Sequence, residues 1–283
     1  MRILLTNDDG ILAPGLLALH RAIAELGEVI VVAPETGQSA AGHSITLTAP
    51  LICNRVKIRE GFEGTSVDGR PADCVKLALL KLVDPRPDLV ISGMNAGANV
   101  GINLLYSGTV AAAVEGALFG VPSIAVSLEI DLQGESSRES KQDKKKTTAI
   151  GQSGDYLDSA RGANARVDFD GAASIAKRLI EQIIAAGLRA GDLLNINIPQ
   201  LGEKRPKGNK VVPMGTETVT DTYEQRTDPR GRNYYWIGAD YDHPGGTNDD
   251  VSTLHDGFVT VTPLHFDLTR VTQLEHWRGV VSE

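Results

Sequence analysis

The sequence is poor in sulfur and aromatic residues and has no excess of positive charge. Its two cysteines, Cys53 and Cys74, among 283 residues form neither a CxxC pair nor a zinc-ligand spacing. That excludes a disulfide framework and reads as two core or near-core thiols in a reducing compartment. Lys and Arg number 28 against 36 Asp and Glu, a net charge of -8. The global basic footprint of a duplex nucleic-acid binder is therefore missing. No apolar run approaches the roughly 20 residues needed to span a bilayer. A strand-like run starts within two residues of Met1, so no secretory leader is expected and the chain reads as cytoplasmic. GxGxxG after the first strand, GxxxxGK[ST], HExxH and GxSxG are all absent, which removes the usual dinucleotide, P-loop, zincin and serine-hydrolase readings.

What is there is an ordinary globular composition, 41% hydrophobic and 23% charged. The first 130 residues alternate strand and helix signals. "RILLTN" is a short apolar run. "PGLLALHRAIAELG" follows, with Pro14 near a helix start, Gly27 past its end, and Leu16, Leu19, Ile23 and Leu26 on one face. "EVIVVAPE" and "PDLVISGMN" read as strands, the first β-branched and uninterrupted, as in a parallel sheet covered on both faces. "ADCVKLALLKLV" and "GTVAAAVEGALFG" read as helices and "PSIAVSL" as a strand. The alternation predicts an α/β fold, an open, doubly wound, mostly parallel sheet. Residues 133–166 are polar and charged, with few apolar groups to offset an ordering cost of roughly 1–2 kcal/mol per residue. They read as a long exposed loop, and the lysine run from Lys141 to Lys146 as a solvated stretch. "AASIAKRLIEQIIAAG" then resumes a helix and "DLLNINIP" a strand.

From about residue 201 helix signals vanish until the end, and "KVVPMG", "NYYWIGAD" and "FVTVTPL" read as β segments. Tyr223, Tyr234, Tyr235, Tyr241 and Trp236 fall here. Such a cluster reads as local core or a subunit interface, with stacking on a substrate base as the lesser reading. The expected organisation is a core over 1–200 that includes the polar loop, a β-rich oligomerisation arm over 201–259, and a C-terminal strand and helix over 260–283.

In an open α/β sheet the ligand site lies outside the carboxyl ends of the strands. The first strand delivers Asp8 and Asp9 there, the second leads to a loop carrying Ser39, and "PDLVISGMN" delivers Asn95. Two carboxylates, a hydroxyl and an amide carbonyl are hard oxygen donors that suit Mg²⁺ or Mn²⁺. A dication would also offset the repulsion between the adjacent carboxylates. The loop "AGANVGINLLYSGT" ends at Ser107, Gly108 and Thr109, whose N–H groups at a helix start are placed to hold an anion. Alone, each feature has a plainer reading: a turn, a loop serine, a helix cap. His43 near Ser39 reads as a satisfied loop histidine. Their joint occurrence at successive strand ends favours metal-assisted phosphate chemistry.

These stretches carry a resemblance. "ILLTNDDG", "VVAPETGQSAAGHSITL", "DGRPADCV", "DLVISGMNAGANVG", "YSGTVAAAVEGALFGVPSIAVS", "LNINIP", "DPRGRNYYWIG" and "GTNDDVSTLHDGFVTVTPL" resemble the SurE family of metal-dependent nucleotidases, in order and over nearly the whole chain. The resemblance implies a Rossmann-like core and hydrolysis of nucleoside 5′- and 3′-monophosphates, sometimes with exopolyphosphatase activity. It implies one divalent metal ion per subunit on Asp8, Asp9, Ser39 and Asn95, phosphate contacts at Asn99, Ser107, Gly108 and Thr109, and a homodimer or homotetramer with a swapped arm. Asp8 and Asp9 are then the catalytic candidates, with Asp8 the better proton-transfer group. Arg70 departs from the family, which commonly has Thr there, and the 133–166 stretch is longer than its counterpart. Two rivals stay open: a receiver-type signalling domain, which needs an Asp where Asn95 stands, and a nucleotide- or phosphate-binding regulator without turnover.

Overall fold

The alternation of three leucine-like side chains in the first strand sets the two faces of the sheet. In β1 (Arg2–Thr6), Ile3 and Leu5 enter one apolar core and Leu4 enters another, as a period of two requires. The structure, a computed structural model, describes residues 1–59, 62–130, 148–149, 167–200, 205–216, 220–240 and 248–281. The expected polar loop 133–166 lies outside these apart from residues 148–149, and so does Tyr241.

Helix α1 (Pro14–Ile23) buries Leu16, Leu19 and Ile23 and is followed by a 3₁₀ turn to Leu26. Then come β2 (Glu28–Pro34), β3 (Cys53–Arg59), β4 (Phe62–Val67), α2 (Pro71–Leu77), β5 (Leu89–Ala96), α3 (Gly108–Leu118) and β6 (Ser123–Leu128). After β7 (Thr148–Ala149) follow α4 (Phe169–Ala186), β8 (Leu193–Ile198), β9 (Asn209–Val211), β10 (Thr220–Thr227) and β11 (Asn233–Asp240). The chain ends with α5 (Asp250–His255), β12 (Val259–Leu264) and α6 (Leu274–Val281).

The main sheet has the order β3-β4-β2-β1-β5-β6-β8-β12-β9. Its six strands from β4 to β8 run parallel, while β3 and β12 are antiparallel to their neighbours β4 and β8. Helices α1 and α4 pack together over the face that carries Ile3, Leu5 and Ile91; α2 and α3 pack over the face of Leu4, Val32 and Val90. Covering both faces is what lets the central strands be continuously apolar. Each fully buried Leu or Ile contributes about 1.5–3 kcal/mol. This is the expected α/β, doubly wound, mostly parallel sheet. After β1 the chain builds outward through β2 and then returns to place β5 on the other side of β1. The order reverses there, so a crevice opens at the carboxyl ends of β1 and β5.

Several local expectations differ. Cys53 is exposed on β3, and only Cys74 is buried. Tyr223, Tyr234, Tyr235 and Trp236 are exposed: they sit on the β10–β11 hairpin, which with β7 forms a separate three-stranded sheet and builds no core of its own from these rings. A helix, α5, interrupts the β-rich C-terminal region; it begins with a reciprocal cap between Asp249 and Ser252 and is too short to show a helical apolar period. Strands β9 and β12 lie in the main sheet, so that sheet draws on residues beyond 200.

Candidate active site

Asp8 lies two residues past the end of β1 and is 6% exposed. Its carboxylate faces the start of α3. The Thr109 hydroxyl donates to Asp8 Oδ1, and the Gly108 and Thr109 N–H groups face the same carboxylate and lower its proton affinity. The anion at this helix N-terminus is therefore a side chain of the chain itself, held as the helix dipole favours. Burial nevertheless raises the Asp8 proton affinity, against the lowering by these hydrogen bonds. Gly108 is required by the approach: a Cβ there would lie 2.8 Å from Asp8 Cβ and 2.9 Å from its Oδ2.

Asp9 accepts from the Ala96 N–H at 3.0 Å, which joins the ends of β1 and β5. Burial, and then the neighbouring Asp8 charge, push its pKa up to about 7, against the lowering by the Ala96 N–H. Asn95, on β5 beside it, is half-buried and donates through Nδ2 to the Gly97 carbonyl at 2.8 Å. That fixes the amide and leaves its carbonyl oxygen as the donor for any cation. Ser39 is exposed on the loop after β2. The loop is drawn onto the crevice because the Gln38 N–H donates to the Asp8 carbonyl at 2.7 Å. Farther along, the Gly42 N–H donates to the Tyr106 carbonyl, and His43 Nε2 lies 2.7 Å from Glu115 Oε2 on α3. Lys76 reaches the other Glu115 oxygen at 3.0 Å. His43 is thus a satisfied loop histidine.

Asn99 is held in a buried polar network. Its N–H donates to Asn197 Oδ1 and its side chain to Ser127 Oγ, both at 2.8 Å; its carbonyl accepts from Asn195 and Asn197. Ser107 caps α3, accepting from the Val110 N–H at 3.1 Å. The strand ends thus bring Asp8, Asp9 and Asn95 to one crevice, with the Ser39 loop tied to it by Gln38 and Ser107–Thr109 beside Asp8. Asn99 follows on the segment between Asn95 and Ser107.

The donor chemistry fits a hard divalent cation. Asp8, Asp9, Ser39 and Asn95 offer only oxygens to an ion, once Asn95 Nδ2 is engaged. Burial, hydrogen bonds and the Asp8 charge are the causes that set the two proton affinities, with no Lys or Arg side chain among the largest. Among the described residues no group of three or more His, Cys, Asp and Glu side chains is placed to hold a metal. An ion here would rest on two carboxylates, neutral oxygens and water, which suits Mg²⁺ or Mn²⁺ better than zinc.

The family model described as "Survival protein SurE" matches residues 3–221. The chain belongs to the SurE family. A 5′-nucleotidase SurE from Rhodopirellula baltica is 46% identical over 283 residues, covering 98% of each chain. One from Moorella thermoacetica is 44% identical, covering 100% of this chain and 96% of its own. The crystal structure of the SurE protein from Aquifex aeolicus matches with a TM-score of 0.76 at 33% identity, covering 99% of each chain. Among the described residues no helix is long and apolar enough to cross a membrane.

Two features of this SurE chain carry no role that the sequence alone announces. Arg70, the departure from the usual Thr, precedes α2 and donates to Gln38 Oε1 at 2.6 Å, bracing the loop of Ser39. Asp250 is fully buried and bonds Gly101, in the loop between Asn99 and Ser107. The Arg70–Gln38 and Asp250–Gly101 pairs are 32 and 149 residues apart, and no local pattern announces them.

Proposed function

We propose that the chain is a 5′-nucleotidase, a divalent-metal-dependent phosphomonoesterase that hydrolyses nucleoside 5′- and 3′-monophosphates and short polyphosphate. The observation that carries the reading is the pair of adjacent carboxylates at the sheet's switch point, with proton affinities raised by burial. Relatives named 5′-nucleotidase at 46% and 44% identity support the reaction class.

In this reading Asp8, Asp9, Ser39 and Asn95 hold one Mg²⁺ or Mn²⁺ per subunit. The bound ion supplies Lewis-acid polarisation of the phosphoryl group and brings water to a lower pKa. Thr109 fixes the Asp8 carboxylate by its hydroxyl, and Ala96 fixes that of Asp9 by its N–H. Water adds to phosphorus, the ester P–O bond breaks, and the nucleoside oxygen leaves with a proton. Asp8 is the group assigned to proton transfer, and Asn99 with Ser107, Gly108 and Thr109 to the phosphate oxygens, the last two sharing their N–H groups between the phosphate and Asp8. Residues 1–200 form most of the catalytic core, and the hairpin within 201–259 joins subunits into a homodimer or homotetramer in the cytoplasm.

Phosphate release from AMP with Mn²⁺, with and without chelator, tests the reading. Turnover with Mn²⁺ and its loss on chelation are expected. AMP binding without phosphate release would instead mark a non-catalytic nucleotide-binding regulator.

A further inference from the structure

We propose that Asp250 is a positioning residue that holds the segment from Asn99 to Ser107 in place through Gly101. The proposal rests on the reading of that segment as the phosphate-binding side of the site. It gives a role to "GTNDDVSTLHDG", a stretch that the proposed function leaves unused.

Asp250 is the first residue of α5 and is 0% exposed. Both of its oxygens accept from the Gly101 N–H at 3.1 Å, and Oδ1 also accepts from the Gly215 N–H at 2.8 Å. Its own N–H donates to the Pro213 carbonyl at 2.9 Å. A buried carboxylate is costly unless its oxygens are bonded, and here those bonds go to two other stretches of chain. Helix α5 does not need the group, because Asp249 already caps it through the Ser252 N–H at 2.8 Å.

Sterics match the hydrogen bonds. Gly101 has φ of +57°, and a Cβ there would lie 2.9 Å from Val251 Cγ2. Gly101 is therefore seated directly on the Asp250–Val251 step. Two residues earlier, Asn99 is gripped by Asn195 and Asn197 of β8. Beyond Gly101 a short 3₁₀ stretch, Gly101–Tyr106, runs straight into Ser107, the cap of α3. Asp250 thus governs the course of the chain between Asn99 and the helix start facing Asp8. None of Asp8, Asp9, Ser39 or Asn95 lies on this segment. Loosening it should disturb phosphate recognition and spare the ion.

The test compares wild type with Asp250→Ala, Asp250→Asn and Leu254→Ala. Leu254 is buried in the same helix at 2% exposure, and its truncation loosens α5 by packing alone. Mn²⁺ affinity is read by calorimetry, inorganic phosphate affinity by calorimetry in the presence of Mn²⁺, and KM and kcat with AMP. A small misplacement of a recognition element costs about 10- to 100-fold. Asp250→Ala should therefore weaken phosphate binding and raise KM by that factor, with Mn²⁺ affinity within about twofold of wild type. Asp250→Asn, which keeps one acceptor oxygen, should recover part of the loss. Leu254→Ala should lower the melting temperature and leave phosphate affinity in place. Unchanged phosphate affinity in folded Asp250→Ala or, should that variant not fold, in Asp250→Asn would overturn the proposal. So would an equal fall in Mn²⁺ affinity, or an equal loss of phosphate affinity in Leu254→Ala. Absence of AMP turnover by the wild type would instead strike the nucleotidase reading, since the binding arms need no turnover.

Discussion

His43 Nε2 sits 2.7 Å from Glu115 Oε2, so the loop that carries Ser39 is anchored to the helix whose N-terminus faces Asp8. Burial alone would raise the Glu115 pKa, but hydrogen bonds from His43 and Lys76 hold it below its ordinary value of 4.5. A depressed folded-state pKa adds stability that is present above the unfolded value and is lost as pH falls through the folded one. Glu115→Gln should lower stability by about 1–3 kcal/mol near neutrality. The gap to wild type should narrow as pH falls below 4.5. Urea unfolding of both proteins across that range checks this, and a pH-independent gap would contradict it.

Asp9 shows the opposite sign. Its folded pKa, about 7, lies above the ordinary 3.8. Its contribution to stability is fully present below the unfolded value and is lost as pH rises through the folded one. Chelated wild type should therefore melt at falling temperature from pH 3.8 towards 7, and Mn²⁺ or Mg²⁺ should reverse the trend. Asp9→Asn should flatten the profile. A flat profile in the chelated wild type would show that the carboxylate pair carries no such strain.

Removing the ion, or its ligands, should stop the reaction. Loss of one transition-state electrostatic contact costs about 10²–10³ in rate. Asp9→Asn should fold normally and fall by at least that factor in AMP hydrolysis. Full activity in this variant, or in metal-stripped wild type, would rule out the metal role.

Gly108→Ala should separate stability from activity. Gly108 is the first residue of α3 after its Ser107 cap, where the helix itself accepts alanine. Yet its Cβ would meet Asp8 Cβ at 2.8 Å and push the carboxylate aside. Activity should drop about 100-fold, as for a 1 Å misplacement, while the fold is retained by circular dichroism. Wild-type turnover in this variant would show that the close approach has no catalytic consequence.

The hairpin predicts assembly. Tyr223, Tyr235 and Trp236 are 66%, 57% and 49% exposed, a display of aromatic area that a second copy would cover. Light scattering at micromolar concentration should show a dimer or tetramer, and a Tyr235→Ser/Trp236→Ser double variant should dissociate. A monomeric wild type would refute this.

Much of the fold was legible because its central strands are unbroken apolar runs. "RILLT" and "LVISGMN" need nothing from afar to be read. The edge hairpin β3–β4 escaped because "CNRVKIR" and "FEGTSV" mix charge with apolar residues, and β10, "TDTYEQRT", is polar throughout. In the site, Asp8, Asp9 and Asn95 could be placed together by counting strand ends. That the Gly108 and Thr109 amides turn to Asp8 could not, because sequence shows a helix start without showing which anion comes to it. Asp250 escaped for a related reason: its partners are two backbone N–H groups, which every residue type except proline supplies.

The grip of Asp250 on Gly101 also has an order in time. The two residues stand 149 apart, so at about 5–20 residues per second a ribosome takes roughly 7–30 s to get from one to the other. During that interval the nascent chain already contains Asp8, Asp9, Ser39 and Asn95. A product of premature termination before residue 250 would keep all four and lack the tether on Gly101. Such a fragment would also lack β12, the strand that pairs with β8 in the main sheet.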